Sequence, residues 1–142
     1  MITQALTASF KEELLQGVHD FTVGGDTFKI ALYTSTSDIS SATTVYTSTN
    51  EVVGTGYTAG GQVLTNLGVT LSGTTAYTSW EDPSWPGGVF TTAGALIYNA
   101  SKGNRSVLVL NFGGSYSTNG TPTFPGTFFP ANTSTTAPVI LY

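Results

Sequence analysis

The chain has 142 residues, 39% of them hydrophobic and only 8% charged, with a net charge of −4 and no cysteine. Disulfides and thiolate metal sites are therefore excluded. The four basic residues, Lys11, Lys29, Lys102 and Arg105, are too few to neutralise a nucleic-acid backbone, so no nucleic-acid partner is expected.

The missing charge is replaced by Thr, Ser and Gly, with seven Tyr, eight Phe and two Trp beside them. Thr and aromatic residues suit a pleated, half-buried surface, and Gly supplies turns, so the composition predicts a β-rich protein. The length suits one domain spanning residues 1–142. Residues 1–10 hold neither a basic segment nor a long apolar run, so no signal peptide is expected. No stretch approaches about 18 apolar residues, and no membrane partner is expected.

The first predicted element is a helix over about residues 8–16. Ser9 and Glu12 have the spacing of a reciprocal N-terminal cap. Leu6, Phe10 and Leu14 recur on one face, and Gly17 stands where a left-handed stop belongs. A helix this short needs something to dock on.

From Thr27 the period changes. Phe28, Ile30 and Leu32 alternate with Lys29, Ala31 and Tyr33, which predicts a strand. Residues 34–44 read as a Thr/Ser loop, and the glycines among residues 54–61 mark tight turns or a bulge. Residues 62–71, with Leu64, Leu67, Val69 and Leu71, predict a core strand that Gly68 makes irregular. After a Ser72-Gly73 turn, Ala76, Thr78 and Trp80 alternate with Tyr77 and Ser79. Two prolines and two glycines forbid a ladder over residues 81–88.

A strand resumes over residues 89–99, followed by a turn at residues 101–105. Residues 107–110 with Phe112 are apolar on both faces, which predicts a strand in the middle of the fold. Residues 113–120 read as a polar loop and Val139-Ile140-Leu141 as a last strand. Seven or eight short strands with such turns predict an all-β fold, a β-sandwich or jelly-roll-like domain with one short N-terminal helix.

Little in the chain points to catalysis, and it is read as not an enzyme. The one histidine, His19, follows the predicted helix, where it suits the C-terminal dipole. No serine sits in a nucleophile elbow. The eight carboxylates, Glu51 and Asp82 among them, show no pattern of paired action. No metal site or cofactor is expected, and Glu81-Asp82 read as solvated loop charges.

Two features suggest surfaces for a partner. Trp80 and Trp85 flank a rigid loop, either as buried plugs at one end of the sandwich or as a contact site. Phe124, Phe128 and Phe129 lie among prolines in a stretch too irregular for a clean strand. All five are taken as candidate interface residues, since aromatic residues are enriched where proteins meet.

Three segments carry a resemblance. They are Phe10-Lys11-Glu12-Glu13-Leu14-Leu15-Gln16-Gly17-Val18-His19 with Phe28-Lys29-Ile30-Ala31-Leu32-Tyr33-Thr34-Ser35, then Glu51-Val52-Val53-Gly54-Thr55-Gly56-Tyr57-Thr58-Ala59-Gly60-Gly61, then Gly94-Ala95-Leu96-Ile97-Tyr98-Asn99 with Asn104-Arg105. Together they resemble the signatures of a group of small virion proteins of tailed bacteriophages. The resemblance implies a capsid decoration (cement) protein, made in the bacterial cytoplasm and placed on the capsid exterior of the virion. Its expected partners are the major capsid protein and further copies of itself, a trimer being favoured over a dimer. The alternative is a tail- or fibre-associated structural protein that binds host glycans.

Overall fold

The computed structural model describes residues 1–120 and 139–141. Strand β1 (Ala5–Leu6) leads into helix α1 (Ala8–Leu15), then β2 (Phe28–Tyr33), β3 (Gln62–Leu64), β4 (Asn66–Ser72), β5 (Thr75–Trp80), β6 (Thr91–Asn99), a 3-10 turn (Ala100–Lys102), β7 (Arg105–Ser117) and β8 (Val139–Leu141). The protein is all-β with one short N-terminal helix. A five-stranded sheet has the order β1-β7-β6-β2-β3, and a three-stranded sheet has the order β4-β5-β8. Among the described residues every strand pairing is antiparallel.

The heart of the molecule is the β2–β6 pair, in register from Phe28↔Asn99 to Tyr33↔Gly94. Alternation along β2 sends Phe28, Ile30 and Leu32 into one apolar cluster and Ala31 and Tyr33 into another. On β6, Ala95 and Ile97 join the first cluster, Leu96 and Tyr98 the second. Period-two side chains thus fill both faces of the sheet. The first face is covered by Phe10 of α1, Phe21, Trp80, Trp85 and Phe90. The second is covered by Ile2 and Ile39, with Tyr46 packed alongside. Each fully buried Phe, Ile or Leu contributes about 1.5–3 kcal/mol relative to exposure.

Helix α1 ends as expected. Gly17 adopts φ +71°, its N–H reaches the Leu14 carbonyl at 3.2 Å, and that of Val18 reaches the Glu13 carbonyl at 3.0 Å. The start differs from expectation. Thr7, not Ser9, is the N-cap, and no side chain caps it. The reason is that β1 runs straight into the helix: the Thr7 N–H donates to the Val107 carbonyl at 3.1 Å, and its hydroxyl turns to the Ser106 carbonyl at 3.3 Å. Glu12 accepts a hydrogen bond from the Gln16 side chain instead.

Two further expectations change. The stretch predicted as one core strand over residues 62–71 is two strands in different sheets, and β4 is largely solvent-exposed. Its alternation is that of a strand with one covered face, but the hairpin overhangs the core, so its apolar side chains lie open. Gly68 does mark a bulge. Residues 113–117, read as loop, extend β7 because Ser117 and Tyr116 pair with Thr91 and Thr92 at the start of β6. Strand β7 is an interior strand as expected, between β6 and the two-residue β1, with Val107 and Leu110 buried on one face and Val109 on the other.

Gly61 is a point where only glycine fits. Its φ is +74°, and an added Cβ would lie 1.8 Å from the Ile30 carbonyl oxygen, a backbone atom of the central pair. Gly61→Ala is expected to cost about 3 kcal/mol, combining left-handed strain with overpacking, read as a lowered denaturant midpoint at unchanged slope. A loss below about 0.5 kcal/mol would contradict the close approach described.

Candidate interaction surface

Trp80 closes β5 and Trp85 lies in the irregular segment after it, and both have 0% exposure. Trp80 packs edge-on against Phe21 and Phe28 at centroid distances of 5.9 and 5.5 Å. Phe21 and Phe28 stack on each other at 4.6 Å. Trp85 lies against Tyr57 and Phe90, both at 6.3 Å. As candidate interface residues both are therefore corrected: they plug the core on one face of the five-stranded sheet and line no surface. Large rings fill the space where an irregular connection leaves no strand to do so. Phe124, Phe128 and Phe129 lie outside the described residues.

His19 is a packed structural group with a side-chain exposure of 0%. Its Nε2 is 2.8 Å from Glu13 Oε2, and its Nδ1 is 2.9 Å from Asn99 Nδ2. Asn99 Oδ1 accepts from the Ser101 N–H at 3.0 Å, which fixes the amide so that its nitrogen donates to His19 and, at 2.8 Å, to Asp26 Oδ2. The imidazole therefore carries its proton on Nε2 and donates it to Glu13. Glu13 also accepts from Arg105 Nη1 at 2.8 Å, and Lys102 Nζ lies 3.8 Å from Asp26. The charges of the residue 101–105 turn thus clamp α1 and the loop after it onto the β6–β7 end of the sheet.

A second polar centre, which the sequence reading missed, holds the covering loop on the opposite face. Glu51 is buried, with 7% exposure. Tyr46 and Tyr57 each donate a hydroxyl to its carboxylate at 2.6 Å, and the Gly60 N–H donates at 2.7 Å. The Tyr57 hydroxyl accepts from the Leu32 N–H at 2.9 Å, and Tyr98 donates to the Gly60 carbonyl at 2.8 Å. A buried carboxylate is tolerable only when hydrogen-bonded, and three donors satisfy it here. The available signal was that Glu51 is the only charged residue between Asp38 and Glu81.

Burial first, then hydrogen bonding to Glu51, pushes the Tyr57 and Tyr46 hydroxyls well above the ordinary tyrosine range. Burial followed by the Glu51 charge raises Tyr33, and pushes Tyr98 up to about 12.

Part of the exposed apolar surface lies on the hairpin, in β4. Residues 52–80 contain no charged residue, and Val69 and Leu71 of β4 are 58% and 71% exposed. Burial falls away from Trp80 toward the Ser72–Thr75 turn, so the hairpin diverges from the core. Phe10, Leu14 and Phe21 on one side and Val69, Ala76 and Thr78 on the other leave an apolar groove of about 170 Å³. Among the described residues, no group of His, Asp and Glu is arranged to hold a metal ion, and no helix is long and apolar enough to cross a membrane. Compared with known proteins, the chain matches no family model, no curated protein and no solved structure.

The tyrosine shifts set an alkaline limit. A hydroxyl whose folded pKa is raised favours the folded state fully below its unfolded value of about 10, and this stabilisation is lost as pH climbs past that value and through the folded one. The tyrosinate absorbance of Tyr33, Tyr46, Tyr57 and Tyr98 is expected to appear above pH 10, in one cooperative step with loss of circular dichroism. Smooth ionisation of these four centred on pH 10, in a chain still folded, would refute the buried network.

Proposed function

We propose that the chain is a decoration (cement) protein of a tailed-phage head, binding the outside of the major capsid lattice as a homo-oligomer and bridging neighbouring capsid subunits. One observation carries this reading: the segments that resemble phage virion proteins supply the residues that hold the fold together. Glu51, Tyr57 and Gly60 build the buried carboxylate centre. Glu13, His19, Asn99 and Arg105 build the clamp on α1. Such signatures are those of a rigid block that acts through its outside.

The surface supports the same reading. An uncharged, partly apolar face is a contact area in want of a partner. A site formed only by the assembled lattice engages several copies at once, so modest single contacts add up to firm attachment. The tail-associated alternative loses its two Trp platforms, since Trp80 and Trp85 are both fully buried; glycan recognition would have to use Tyr side chains.

Mixing the purified protein with undecorated, expanded capsids tests the proposal. Saturable co-sedimentation and a raised capsid disruption temperature are expected. No binding, or binding without any gain in heat resistance, would count against it.

A further inference from the structure

Among the described residues, strand β4 is an edge. It pairs with β5 on one side, and among the described residues no strand pairs along the other. Beyond the bulge at Gly68 its register with β5 is regular, from Val69↔Thr78 to Ser72↔Thr75. Such an edge presents a row of backbone donors and acceptors to any extended chain, and proteins that stay monomeric block it with charge, proline or a covering loop. The segment over residues 66–72 has no charged residue and no proline. All of residues 69–72 are exposed.

The chemistry of the surroundings selects the occupant. The chain carries a net charge of −4, so two copies repel wherever their acidic surfaces approach. The strands β4, β5 and β8 contain no residue charged at neutral pH. This sheet is therefore a place where a second copy can approach without like-charge repulsion. The alternating side chains supply the fit: Val69 and Leu71 share one face of β4 and Thr70 the other.

We infer that β4 pairs antiparallel with β4 of a second copy, about a twofold axis at Thr70, joining two three-stranded sheets into one of six strands. In this register Val69 opposes Leu71 of the partner subunit, Leu71 opposes Val69 of the partner subunit, and the two Thr70 residues face each other on the opposite surface. The apolar pairs extend the wall of the groove beside α1, so the same contact covers side chains that the monomer leaves open. An edge-to-edge contact of this kind is self-complementary and closes as a pair, in place of the trimer expected from the resemblance. The inference does not rest on the proposed place in a virion: a chain that dimerises through β4 and ignores capsids would keep this reading and lose the earlier one.

The absence of cysteine makes a clean test. Directly opposed residues of an antiparallel pair have Cα atoms about 4.5–5.5 Å apart, within disulfide span. Under mild oxidation Thr70→Cys is expected to form a cross-linked dimer, while Ser48→Cys, at an exposed loop site, does not. In sedimentation equilibrium the unaltered chain is expected to be a reversible dimer. Thr70→Lys, which places like charges directly opposite each other, is expected to weaken it by about tenfold or more (the equivalent of about 1.4 kcal/mol) without altering circular dichroism. A chain that stays monomeric, an oligomer that Thr70→Lys leaves unmoved, or Thr70→Cys cross-linking no better than Ser48→Cys would each overturn the inference. If the lysine variant does not fold, the ratio of the two cysteine yields decides.

Discussion

The structure depends on the fact that β2 and β6 are apolar on both faces, so neither can face water. A strand pair of this kind needs a cover on each side. The chain supplies two unlike ones. On one face α1 and the β4–β5 hairpin bring Phe10 and Trp80 onto Phe28 and Ile97. On the other a long stretch with little regular structure brings Ile39 and Tyr46 onto Leu96 and Tyr98.

An irregular cover is the harder one to hold, because its backbone groups lack a ladder. Glu51 provides the anchor. Its carboxylate gathers Tyr46, Tyr57 and the Gly60 N–H, and Tyr57 in turn satisfies the Leu32 N–H at 2.9 Å. The bond from the Val52 N–H to the Leu32 carbonyl at 2.9 Å closes the same seam. Polar chemistry here is what lets a loop act as a second layer. The clamp of Glu13, His19, Asn99 and Arg105 does the equivalent task for the helix, and it engages the histidine through both ring nitrogens.

This use of polar groups shapes the outside as well. With so few charges in the chain, engaging Glu13, Asp26, Glu51 and Arg105 in internal contacts leaves little for the surface. The hairpin is left wholly without charge. The polar character of the surface then rests on Thr, Ser and Asn, whose hydroxyl and amide groups hydrate well but do not repel a matching surface. A rigid core with one uncharged, extended edge is suited to contact along a strand.

Much of the fold was legible in the sequence. The Leu6, Phe10 and Leu14 stripe, the Gly17 stop, the alternation from Phe28 to Tyr33 and the Gly68 irregularity are local properties, set by side-chain period and backbone sterics. They required only neighbouring residues, and the all-β class with its short helix followed. Which faces are covered was decided by tertiary structure alone. Period two shows that Val69 and Leu71 share a face, but not that the hairpin overhangs the core and leaves that face open. It places Trp80 on a strand, but not beneath Phe21. The Glu13–Arg105 contact spans 92 positions and the His19–Asn99 contact 80, and partners so far apart leave no periodic trace. The sequence by itself determined the elements and their apolar faces, because these arise from local geometry; the three-dimensional arrangement decided which faces are buried, since burial depends on what long-range packing brings above them.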